Sequence, residues 1–118
     1  MKLVSTTLLL ALSAIAASAA APNARYVRVE LPGNGKTLTL AEVEVISKGK
    51  NIAKSGKATQ SSVGAGGVPV RAIDGNKNPS YTKGGQTHTS EGQANPWWEL
   101  DLGKAQAIDK VSIWNRGD

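Results

Sequence analysis

Hydrophobic and polar positions alternate with a period of two in several stretches of this chain. The clearest runs from Trp97 to Leu102, where Trp98, Leu100 and Leu102 share one face and Trp97, Glu99 and Asp101 the other. Pro96 and Gly103 bound it, so it predicts a half-buried β-strand. One tryptophan should anchor the core and its neighbour support an adjacent loop. Arg25 to Leu31 alternates in the same way, with Val27, Val29 and Leu31 on the inner side, and Pro32-Gly33-Asn34-Gly35 follows as a turn. From Leu38 to Ile46 the valines at 43 and 45 are expected inward and the glutamates at 42 and 44 outward. Leu38 and Leu40 break that phase, which a short turn at Ala41 would explain. Asn51 to Ala58 reads as a weaker strand, Gly103 to Ala107 as a connection, and Ile108 to Trp114 as a last strand. Outside the first residues no period of 3.6 persists over three turns, so an all-β sandwich is expected.

Residues 1 to about 21 stand apart. Lys2 precedes an apolar stretch from Leu3 to Ala17, and Ala17-Ser18-Ala19 offers small residues at cleavage spacing before Pro22. This is the pattern of an export leader rather than of a membrane anchor, and it implies a secreted or periplasmic protein. Residues 22–118 then suffice for one small domain. With no cysteine, that domain has no disulfide, and with one histidine it has no Cys-His zinc site. The formal net charge of +5 comes from lysines scattered among acidic residues, without the basic stripe and interleaved aromatics of a nucleic-acid binder. No run beyond the leader is long enough to insert in a membrane.

The candidate chemistry lies in the polar loops around the double tryptophan. Val68 to Gly92 has little periodicity, and loops of that length in small domains usually serve function. It holds Asp74-Gly75-Asn76 and the single histidine, His88, between Thr87 and Thr89. Asp74-Gly75-Asn76 reads locally as a tight turn, and chemically as the start of an oxygen cage for a hard cation. Arg116, just after the last strand, offers a rigid fork of donors suited to vicinal hydroxyls, and an imidazole can both accept and donate. Gly64 to Gly67 reads as flexible filler without phosphate-binding character. No nucleophile with a matching base is evident, so an enzyme is not expected.

Taken in order, Ala72-Ile73-Asp74-Gly75-Asn76, Thr87-His88-Thr89, Asn95-Pro96-Trp97-Trp98-Glu99-Leu100-Asp101-Leu102-Gly103 and Asn115-Arg116-Gly117-Asp118 resemble the F-type lectins (fucolectins). These are a branch of the discoidin-like, galactose-binding-like β-sandwiches that include the coagulation factor C-type domains. The resemblance is specific from Ala72 to Asp118 and weaker from Arg25 to Ser62. It implies a jelly-roll β-sandwich, incomplete at the C-terminus, whose missing strands come from downstream sequence or a partner chain. It implies a module binding glycans, fucosylated ones above all, with His88 and Arg116 reading the sugar and Tyr81 walling its methyl group. It also implies Ca²⁺, with Asp74 and Asn76 as side-chain ligands and Arg71 and Gln86 as carbonyl donors. Two departures bear on the ion: Gly85 stands where a side-chain oxygen is often found, and further ligands are expected beyond Asp118. The family's second basic residue after the Arg-x-Asp would lie there too. The alternative is a discoidin-like structural or adhesion module of a larger exported protein, without sugar binding; Arg116-Gly117-Asp118 also spells an integrin-type tripeptide.

Overall fold

The structure is a computed structural model that describes residues 3–4, 7–10 and 21–118. Its strands are β1 (Leu3–Val4), β2 (Thr7–Leu10), β3 (Asn23–Glu30), β4 (Leu40–Ser47), β5 (Lys50–Asn51), β6 (Lys57–Gln60), β7 (Trp97–Ala107) and β8 (Lys110–Asn115). One sheet has the order β1-β2-β3-β7-β6 and the other β5-β4-β8. All pairings are antiparallel except β2 with β3. Most of the expected export leader lies outside the described residues.

The core forms where the two sheets and the polar loop meet. Val27 of β3, Trp98 and Leu100 of β7, and Val43 and Val45 of β4 are fully buried, together with Ala24, Ala53 and Ala72. The alternation in Trp97–Leu102 is therefore borne out: Trp98 and Leu100 face inward and Leu102 packs at the margin. The Trp98 indole N–H, which would be costly to bury alone, donates to the Pro69 carbonyl at 3.0 Å. Trp97 points to the outer face, where it supports no loop. Its ring lies 4.2 Å below the Arg28 guanidinium of β3, and that guanidinium also binds Glu99 at 2.8 Å. Beside it, Arg25 grips Asp101 through two hydrogen bonds, so one sheet face carries a ladder of cross-strand pairs.

Several expected boundaries shift for identifiable reasons. β7 does not end at Gly103 but runs on to Ala107, because Gly103 at φ +83° lets the strand bulge and resume pairing with β3. The weak strand expected over Asn51 to Ala58 is interrupted by a 3-10 turn at Ala53–Ser55. Most consequential is Ala41. No turn separates the two halves there; instead the β4–β8 register steps from Leu40↔Asn115 to Glu42↔Trp114, leaving Ala41 as an extra residue in a bulge. A bulge re-aims side chains by one position. Glu44 keeps partial exposure, but Glu42 is only 1% exposed rather than outward-facing, because the loop after Pro69–Ile73 closes over it.

Candidate functional site

Thr87-His88-Thr89 is held as an added strand beside Leu38–Leu40. The amides of Thr87 and Thr89 donate to the carbonyls of Leu40 and Leu38, and the two threonine hydroxyls accept the Leu40 and Leu38 amides at 2.9 Å each. Both threonines are thus consumed by backbone, and the residue between them projects the other way. The other edge of the segment is also occupied: the His88 amide donates to Gly67, and the His88 carbonyl accepts from Gly64. The Gln60 amide nitrogen bridges the carbonyls of Ser62, Gly67 and His88. The stretch Gly64 to Gly67 is therefore not filler. A Cβ on Gly67 would lie 2.5 Å from the His88 Cβ and 2.7 Å from the Thr87 carbonyl carbon, so only glycine allows this approach.

The His88 ring Nδ1 pairs with the Thr89 carbonyl, which makes Nδ1 the proton-bearing nitrogen and leaves Nε2 as the acceptor. The ring meets Tyr81 edge-on, with centroids 5.6 Å apart and planes at 74°. The opposite partner of Tyr81 is Arg116, whose guanidinium carbon stands 4.6 Å from the ring centre. Histidine and arginine, 28 residues apart in the chain, are thus brought to one tyrosine. The Tyr81 hydroxyl is fixed by donation to the Ala65 carbonyl.

Asp118 closes this arrangement. Its carboxylate accepts from Arg116 Nε at 2.8 Å, from the Ser80 hydroxyl at 3.1 Å and from the Tyr81 amide. The Arg116 guanidinium, the Tyr81 amide and the Ser80 hydroxyl hold the Asp118 carboxyl below the usual carboxylate range. The Gly117 amide donates to Pro79 at 2.7 Å. The Arg-Gly-Asp tripeptide is therefore folded onto the 79–81 loop, with its aspartate turned back on its own arginine. The remaining N–H groups of Arg116 have no partner among the described residues.

A second cluster lies around Glu42. Asp74, Asn76 and Asn78 each accept, through the side-chain oxygen, the amide two residues ahead, at 2.9, 3.1 and 3.0 Å. The Gly75 amide donates to Glu42 Oε2 at 2.8 Å, while Glu42 Oε1 is buried without a partner among the described residues. Burial raises the Glu42 carboxyl to about 7, and the neighbouring Asp74 carboxylate pushes the same way. Two carboxyls facing each other over a buried, unpaired oxygen make a donor set that suits a hard cation. Sequence reasoning missed Glu42. The only signal was the broken phase at Leu38 and Leu40, which marks the bulge. The expected carbonyl donors fare less well: the Gln86 carbonyl already accepts from Arg71 Nη1 at 3.4 Å. Gly85 leaves room for Asn76, whose side-chain Cγ would lie 2.8 Å from any Cβ there.

Residues 71–118 match the family described as the NedA-like, galactose-binding domain. That stretch, with the two antiparallel sheets described above, defines a galactose-binding-like β-sandwich domain. Among curated proteins the chain is similar to Fucolectin-5 of Anguilla japonica, at 45% identity over 74 residues, covering 58% of this chain and 39% of that protein. It is similar to Fucolectin of Anguilla anguilla, at 46% identity over 74 residues, covering 58% of this chain and 46% of that protein. A Pentraxin fusion protein of Xenopus laevis is 41% identical over 70 residues, 58% of this chain and 17% of that protein. The domain is thus of the F-type lectin, discoidin-like kind. The chain spans less than half the length of the fucolectins it matches. No solved structure matches it.

Proposed function

We propose that this chain carries a non-catalytic carbohydrate-recognition module that binds fucose-type sugars with the help of Ca²⁺. The single observation behind the reading is that Tyr81 lies between His88 and Arg116. Arg116 supplies N–H donors to sugar hydroxyls or the ring oxygen, and His88 Nε2 accepts from a hydroxyl. The exposed part of the Tyr81 ring offers an apolar wall to a deoxy-sugar methyl group. The relatives named fucolectin favour fucose as the first sugar to test.

The ion is assigned to Glu42, Asp74 and Asn76. When bound it supplies positive charge that keeps both carboxyls ionised and fixes the loop. The Asp74–Ser80 loop leads into the Tyr81–Asp118 pairing, so ordering at the ion supports the sugar-reading residues. The leader pattern at residues 1 to about 21 supports export, where Ca²⁺ and extracellular glycans are met. A glycan array with the protein, in calcium and in chelator, tests the reading. Retention of fucosylated glycans that is lost in His88→Ala supports it. No retention above background leaves the discoidin-like structural or adhesion reading in its place.

A further inference from the structure

We propose that the side-chain oxygen of Gln86, rather than its main-chain carbonyl, is a cation ligand, supplying the oxygen that Gly85 lacks. The inference rests on the cation site assigned above and concerns which of the chain's own atoms build it. Gln86 is fully buried, and its Oε1 is one of three buried side-chain atoms without a partner among the described residues. The other two are Glu42 Oε1 and Gln60 Oε1. Gln60 belongs elsewhere, since its amide nitrogen clamps the His88 loop.

Glu42 and Gln86 converge on one loop from two directions. Glu42 accepts the Gly75 amide, and Gln86 Nε2 donates to the Asn78 carbonyl at 3.1 Å. The residue after Gln86 pairs with Leu40, two positions before Glu42. The bond to Asn78 fixes which end of the amide is nitrogen, so the unpartnered end is an acceptor. A buried acceptor with nothing to accept from is costly, and two beside the same acidic loop call for one positive partner. The Gln86 carbonyl is a poor candidate for that task because the Arg71 guanidinium already donates to it. Among the described residues no group of three or more His, Cys, Asp and Glu side chains gathers, so amide oxygens must complete any oxygen cage here.

The test compares the wild-type chain with Gln86→Met and Gln86→Glu. Calcium dissociation constants are measured by calorimetry, and thermal midpoints in chelator and in saturating calcium. Gln86→Met should weaken calcium about tenfold or more while the midpoint in chelator stays level or rises, because an unpaired acceptor is gone. Gln86→Glu should bind calcium more tightly than wild type, as a charged oxygen replaces a neutral one. A Gln86→Met protein with the wild-type calcium constant overturns the inference. So does a Gln86→Glu protein that binds no tighter, which decides the matter should the methionine variant fail to fold. A wild-type chain that takes up no calcium overturns both this inference and the cation part of the function; fucose retention then judges the sugar part separately.

Discussion

The Arg116 guanidinium lies 4.6 Å from the centre of the Tyr81 ring, and the His88 ring meets that tyrosine at 5.6 Å. A stacked cation is positioned by the ring face rather than by one hydrogen bond, so the ring itself should matter more than its hydroxyl. Tyr81→Phe should hold fucose within about threefold of wild type, losing only the bond to Ala65. Tyr81→Ala should weaken it by about tenfold or more, in line with a cation–π contact and a lost apolar wall. Calorimetric titration with fucose separates the two, and equal loss in both variants would assign the role to the hydroxyl.

Asp118 orients the same arginine, and its pKa gives the effect a sign. Its carboxyl lies below the ordinary 3.8, chiefly through the hydrogen bond from Arg116. A depressed carboxyl contributes above its unfolded pKa and loses that contribution as pH falls through the folded value. Through Asp118, sugar binding should therefore be level from pH 5 to 8 and fall only below about pH 4. Asp118→Asn keeps an acceptor but not the charge. It should weaken fucose roughly threefold to tenfold and remove this acid limb, as fluorescence titration across pH would register.

Much of the frame was legible in the sequence because period-two alternation reports directly on a two-faced sheet. Trp98 and Leu100 inward, Glu99 and Asp101 outward, and Val27 in the core all follow from that rule. What alternation cannot show is a slip in its own phase. The bulge at Ala41 shifts everything before it by one position, so Glu42 looks like a solvent-facing residue of a regular strand. Glycines misled for a related reason. Composition reads Gly64 to Gly67 as freedom, whereas the fold uses the missing Cβ to bring one backbone against another. The threonines beside His88 were visible, but their task, replacing carbonyl acceptors for Leu38 and Leu40, depends on a strand 47 to 51 residues away.

Gly67→Ala tests that close approach. The added methyl would meet the His88 amide and Cβ and the Thr87 carbonyl, all of them on one segment. Backbone cannot yield as a flexible side chain would, so the 64–67 loop must separate from His88. Loss of those bonds and of the Gln60 clamp should cost about 2 kcal/mol or more, in the range of overpacked sites. Chemical denaturation should report it, and fucose binding should fall with it. Gly66→Ala makes the useful contrast: open space surrounds that position, and only its φ of +71° is strained. It should destabilise by about 1 kcal/mol and leave fucose binding close to wild type.

Glu42 gives the prediction that separates a cation from a mere buried acid. Its carboxyl is raised to about 7 from an unfolded value near 4.5, with burial as the main cause. A raised acid binds more protons in the folded state, so its contribution to stability is fully present below pH 4.5 and is lost as pH rises through about 7. In chelator, the thermal midpoint should therefore decline across that window, by an amount equivalent to about 1–2 kcal/mol once relaxation and water entry are allowed for. Saturating calcium should flatten or reverse the decline, since the ion favours the ionised carboxylate that burial disfavours. Glu42→Gln has no proton to lose, so its midpoint in chelator should be flat across the window and above wild type at pH 8. The same variant should lose the stabilisation that calcium confers. Were Glu42→Gln to keep the full calcium increment, the buried carboxyl would be a structural acid, and the ion would have to be held by Asp74 and its loop alone.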